Sequence, residues 1–173
     1  MKRFCAFLLP VLLLVTLTAC GKRGGTVLPI TGGFSARVAI AYGEQSLEGK
    51  LDVGDDGGLT LAFSAPKTLA GITLGWNGEQ MTVQMGDVTV DVDPERVPES
   101  ALMKSLLEVS NDVRALMQGE GLPNGYAVSR TVDGMTYTLT FDPDSGFPSS
   151  LVVPDQQLNA TFTEVVKFVS ETT

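Results

Sequence analysis

Residues 59–92, LTLAFSAPKTLAGITLGWNGEQMTVQMGDVTVDV, carry the pattern that decides the fold. Leu59, Leu61 and Phe63 alternate with Thr60, Ala62 and Ser64, and a two-residue period puts one set on each face of a pleated strand. Pro66 has no N–H for a ladder, so Ser64-Ala65-Pro66 ends the row. Ile72, Leu74 and Trp76 make the next row, Asn77-Gly78 supplies a tight turn, and Met81, Val83 and Met85 run back. Val88, Val90 and Val92 follow, interleaved with acids: Asp87, Asp91 and Asp93 fall on the solvent side and keep an exposed strand from pairing with neighbours.

The period holds on both sides of this stretch. Upstream, Phe34, Ala36, Val38, Ile40 and Tyr42 form one row and Leu47, Gly49, Leu51 and Val53 another, with Asp55-Asp56-Gly57-Gly58 as a turn before Leu59. Downstream, rows recur in Tyr126, Val128 and Val132, in Met135, Tyr137, Leu139 and Phe141, in Leu151 and Val153, and in Leu158, Ala160 and Phe162, with a tight turn at Asp133-Gly134. Between Pro98 and Gln118 the spacing changes: Leu102, Leu106, Val109, Val113 and Leu116 recur every three or four positions. Met103, Leu107 and Met117 widen that stripe, and Gly119, Gly121 and Pro123 stop the helix. The expected fold is α+β: about nine to ten antiparallel strands forming one curved, half-barrel sheet, with a single long helix after the sixth strand. An antiparallel sheet with one apolar face must cover it, and the helix over Glu99 to Gln118 is the cover for the concave side.

The N-terminus sets an address. Lys2 and Arg3 precede an uncharged run from Phe4 to Thr16, and Leu17-Thr18-Ala19-Cys20 resembles a bacterial lipobox. That resemblance implies cleavage between Ala19 and Cys20 and acyl chains on Cys20, so residues 1–19 are a signal peptide and the mature protein hangs from a membrane outside the cytoplasm. The alternative, an uncleaved membrane span, needs roughly 20 apolar residues. Phe4 to Ala19 falls short of that and contains Pro10. Residues 20–33 follow as the modified cysteine and a tether, GKRGGTVLPITGG, with five glycines and one proline in thirteen residues. Such a coil reaches about 20 Å, which keeps the domain at residues 34–173 just off the membrane surface.

Composition narrows the chemistry. Cys5 leaves with the signal and Cys20 takes the lipid, so the mature domain has neither free thiol nor disulfide. Histidine is absent, which removes the commonest general base and metal ligand. Loss of Lys2 and Arg3 leaves ten basic against twenty acidic residues and moves the net charge from −8 to −10, a surface repelled by nucleic acid and anionic headgroups. Ser100 and Lys104 stand four apart, outside the Ser-x-x-Lys spacing of lysine-activated serines. Asp142, Asp144 and Ser145 echo a calcium loop without its further carboxylates, and Pro143 with Gly146 explains them as a turn. These features predict no enzyme, no metal and no cofactor.

A lipobox, a short tether and a curved antiparallel sheet filled by helix together resemble the half-barrel superfamily of bacterial LolA/LolB lipoprotein carriers, RseB-type periplasmic sensors and mycobacterial lipid-binding lipoproteins. The likeness is carried by Gly49-Lys50-Leu51, Leu59 to Pro66, Gly71-Ile72-Thr73-Leu74 into Trp76-Asn77-Gly78, Gly146-Phe147-Pro148 and Leu158 to Phe162. It implies a cavity for an apolar ligand, such as the acyl chains of a lipid or lipoprotein, between the sheet and the helix. The residues expected to line it are Phe63, Leu74, Trp76, Met81, Met85, Met103, Leu106 and Met135, the thioethers suiting a variable apolar guest. The competing reading makes the same residues an ordinary packed core, in a protein-interaction or envelope sensor module that meets its partner by sheet edge or outer face.

Overall fold

The computed structural model describes residues 33–97, 100–119 and 127–167, with side chains of the helix described as far as Asp112. The segments at 1–32 and 168–173, Tyr126, Val113, Leu116, Met117 and the stop at Gly121 and Pro123 lie outside those descriptions. Ten strands form: β1 Phe34–Tyr42, β2 Gln45–Val53, β3 Leu59–Ala65, β4 Ile72–Trp76, β5 Met81–Met85 and β6 Val88–Val92, then β7 Ala127–Val132, β8 Met135–Phe141, β9 Pro148–Val153 and β10 Leu158–Lys167. One helix, α1, Ser100–Gly119, stands between β6 and β7, and short 3-10 turns occupy Pro94–Arg96 and Pro154–Gln156.

All ten strands belong to one antiparallel sheet in the order β6-β5-β4-β3-β2-β1-β10-β9-β8-β7. It is curved and unclosed, a half-barrel with a single helix among the described residues, as the sequence pattern requires. Two meanders meet at its middle, where β1 pairs β10 from Phe34 with Lys167 to Tyr42 with Leu158. The strands that follow one another across the helix, β6 and β7, are the two outer edges. Nine strand spacings of about 4.8 Å put those edges some 43 Å apart along the sheet, whereas a twenty-residue helix spans about 30 Å. The sheet therefore curls and α1 crosses its mouth, lying against β4 on one limb and β7 on the other.

Curvature has a local cause in broken ladders. The register shifts where Ser35 and Arg37 of β1 face Val166 and Thr163 of β10, and where Glu48 and Gly49 of β2 face Ala65 and Phe63 of β3, so β10 and β3 each carry one extra residue, and Glu164 on β10 takes a φ of 50°. Extra residues at these points bend the strands together. Gly49 is required there, because a Cβ would lie 2.4 Å from the Ala62 carbonyl oxygen.

The inner face is the core. One cross-strand row reads Ala36, Leu51, Leu61, Leu74, Val83 and Val90 through successive pairings. Ala36, Leu51, Leu61 and Leu74 are buried, Val83 is half-buried, and Val90 is 49% exposed. Leu102, Met103, Leu106, Leu107 and Val109 press into this face from α1 over the broad arc their spacing predicts. Burial ends where the helix does not reach. β6, the strand expected to be exposed, is an edge, and its apolar side is as open as its acidic side.

Candidate functional site

The expected lining residues divide into two groups. Phe63, Leu74, Met81, Met103, Leu106 and Met135 belong to one continuous buried cluster, joining β3, β4, β5, α1 and β8. Trp76, at the end of β4, packs against that cluster while half-buried, and Met85, at the end of β5, is 58% exposed. Cys20 lies outside the described residues.

Met85 points to the part of the inner wall that stays open. It pairs with Ile72 on one side and Val88 on the other, and Val83 pairs with Val90. Strand periodicity puts all five side chains on the inner face. Val88 is 63% exposed, and Ile72 and Val83 are half-buried. The result is an apolar bay at one end of the concave face, about 7 Å long from Val83 to Met85 and three strands wide. It is continuous with Leu74 and Met81, which lie under the helix. Met85, Val88 and Val90 are three of the four large apolar side chains that stand most exposed among the described residues.

The helix meets the two limbs of the sheet by different chemistry. Toward β8 and the β9–β10 connection it is tied by polar groups. Buried Ser105 donates its hydroxyl to the Ala101 carbonyl at 2.8 Å and also bonds the Gln156 side-chain oxygen, while the Gln156 amide reaches the Met135 sulfur at 3.7 Å. One turn pair further on, fully buried Tyr137 donates to Asp112 Oδ2 at 2.6 Å, and Arg130 Nε of β7 lies 3.0 Å from the same oxygen. Burial, and then the bond and charge of Asp112, hold the Tyr137 phenol well above the ordinary tyrosine range. Toward β4 the described contact is apolar: Leu107 Cδ2 abuts the Asn77-Gly78 turn, 3.7 Å from where a Gly78 Cβ would stand. No motif announces the polar ties. Their members come from positions 25 and 51 apart, and only the even alternation of Tyr137 with Met135 and Leu139 places its ring inward.

Outside the bay, a groove of about 600 Å³ crosses the outer face of β1, β2, β3 and β10 over Ala39, Gly49 and Ala62. Its ion pair, Arg37 Nε to Glu164 Oε2 at 2.7 Å, is open to water on both sides, so it adds little to stability. The Asp142 turn is as expected: Oδ1 accepts from the Asp144 N–H, the Ser145 N–H and the Ser145 hydroxyl, at 3.1, 2.7 and 2.8 Å. Those donors, Ser145 first, lower the Asp142 carboxyl below its usual range.

No protein-family model matches the sequence, and no curated protein matches it. Among solved structures the chain is similar to an uncharacterized conserved protein from Thermus thermophilus, at 12% identity and a TM-score of 0.48 over 81% of each chain. It is similar also to a LolA superfamily protein from Nitrosomonas europaea, at 10% identity and a TM-score of 0.41 over 88% of this chain and 93% of that one. A DUF1329 family protein from Desulfovibrio piger gives 12% identity and a TM-score of 0.39 over 86% and 90%.

Proposed function

We propose that this chain is an extracytoplasmic lipoprotein, held to a membrane by acyl chains on Cys20, that binds an apolar ligand of the acyl-chain class against the inner wall of its half-barrel. It acts by binding and not by catalysis. The observation that carries the reading is the open bay of Ile72, Val83, Met85, Val88 and Val90, continuous with Leu74 and Met81 under the helix. Each methylene moved from water onto such a wall contributes about 0.8 kcal/mol, so only a chain that reaches from the bay toward the helix gains useful affinity.

The two kinds of helix contact give a direction of entry. An apolar contact such as Leu107 on the Asn77-Gly78 turn exchanges for a contact with hydrocarbon at little cost. Separating Tyr137 from Asp112 strands a buried phenol hydroxyl and costs about 1–3 kcal/mol, and the bond of Ser105 to Gln156 is lost with it. The ligand therefore enters between α1 and β4, while α1 stays with β7 and β8.

The six buried members of the expected lining favour a second reading, in which the core is simply packed and the protein works through its surface. Purification under native conditions, solvent extraction and mass spectrometry, with titration of a fluorescent fatty acid, separates the two. Co-purified lipid and saturable uptake, weakened by Met85→Asp and Val90→Asp, support the ligand reading. Recovery of no lipid together with no uptake sinks it. The address is tested by Cys20→Ala, which should release the protein from membranes and remove the acyl mass from its N-terminus.

A further inference from the structure

The edge of β6 has outward backbone groups and outer-face acids that the acyl-chain reading leaves unused, beside Val88 and Val90, which it shares. Met85 and Val88 flank the two-residue Gly86-Asp87 turn, where Gly86 takes a φ of 57°. In such a hairpin the flanking pair exchanges both backbone hydrogen bonds, and bonding then alternates along the ladder. Val88, Val90 and Val92 thus turn their N–H and C=O groups toward β5. Thr89 and Asp91 turn theirs outward, where no further strand stands among the described residues.

Side chains along this edge are sorted by face. Val88 and Val90 lie exposed on the inner face, and Thr89 and Asp91 are exposed on the outer one. Asp87 and Asp91 have no ion-pair partner among the described residues, whereas Asp93 caps the following 3-10 turn through the Glu95 N–H and pairs with Arg96 at 3.5 Å.

We infer that β6 is a docking edge for an extended segment of a partner protein that alternates basic and apolar residues. Outward backbone groups at Thr89 and Asp91 offer up to four main-chain hydrogen bonds. A lysine or arginine opposite Asp91 gains an opposite-charge cross-strand pair, and its apolar neighbours close over Val88 and Val90. A second copy of this chain is the wrong occupant for the same reasons. Two β6 edges would set Asp91 and Asp87 against each other, and the other free edge, β7, presents Arg130 already committed to Asp112.

The test uses the full mature chain carrying Cys20→Ala and a fluorescein-labelled eight-residue peptide of alternating lysine and valine, followed by fluorescence anisotropy. Saturable binding is expected, with a loss of about tenfold or more when the backbone nitrogens facing the edge are methylated. Asp91→Lys should weaken the lysine–valine peptide about tenfold and pass the preference to a glutamate–valine peptide. Absence of binding, equal binding of the N-methylated peptide, or indifference to Asp91→Lys overturns the inference, as does self-association of the chain through β6 in place of peptide capture. Asp91 is on the outer face, so its reversal should leave fatty-acid uptake unchanged. A chain that takes the peptide but no fatty acid separates this edge from the acyl site.

Discussion

Replacing Tyr137 by Phe removes one hydroxyl from the tie between α1 and β8 and nothing else of bulk. The phenol donates 2.6 Å to Asp112 Oδ2 from a fully buried ring. A hydrogen bond to a charged acceptor contributes about 1.5–3 kcal/mol, and Arg130 at 3.0 Å still holds the carboxylate in the variant. The expected cost is therefore near the lower end, about 2 kcal/mol, which lowers the melting temperature by roughly 8 °C in a domain of this size. The pH dependence is more diagnostic than the midpoint. Burial and Asp112 raise the folded phenol's pKa above the ordinary value near 10. The folded state thus holds the proton more tightly than the unfolded chain. This contribution is complete below about pH 10 and is lost above it, by about 1.4 kcal/mol per pH unit until the folded phenol ionises. Urea unfolding followed by the single tryptophan, Trp76, at pH 7, 9, 10.5 and 11.5 measures it. Other alkaline groups are common to both proteins and cancel in the difference, so the gap between wild type and variant should shrink above pH 10. A constant gap from pH 7 to 11.5, or none at pH 7, refutes the buried, proton-holding tie.

Gly49→Ala should destabilise the domain by about 1–3 kcal/mol, because the new methyl meets the backbone of β3 and not a movable side chain; an unchanged urea midpoint would show that the bend at Glu48 and Gly49 has room to relax. The Asp142 carboxyl should titrate below ordinary aspartate in a carbon-detected NMR experiment, since the Ser145 and Asp144 donors favour its charged form; the stability this lends is full above the unfolded pKa and lost as pH falls through the folded one. Ser145→Ala, which removes the hydroxyl donor, should move that midpoint upward, and no movement would deny the hydroxyl its part.

Most of this fold is written locally. Alternation in Leu59 to Phe63 or Met135 to Phe141 names the strand and its inner face at once, and the change of period after Pro98 names the helix. The acids flanking Val88, Val90 and Val92 even mark β6 as an edge. Sheet order was not legible, because the pairing of β1 with β10 joins the two ends of the domain and leaves no trace in either row. For the same reason the site was only partly legible. Nothing in Met85 distinguishes it from Met81 by pattern, yet one is open and the other shut: Met81 stands at the end of β5 next to the Asn77-Gly78 turn that Leu107 of α1 abuts, and Met85 at the opposite end, beside the Gly86-Asp87 turn. Asp112 belongs to no pattern in the sequence, and only the fold brings Tyr137 and Arg130 against it.

The seam of β1 with β10 bears on how such a chain is made. Its first strand finds one of its two neighbours at once, in β2, and must wait for the other until the final stretch has emerged. Closing a loop that encompasses the whole domain is the slowest class of contact to form. A polypeptide made from its N-terminus therefore carries the middle of its sheet unzipped, and completes the half-barrel only after the last strand has emerged.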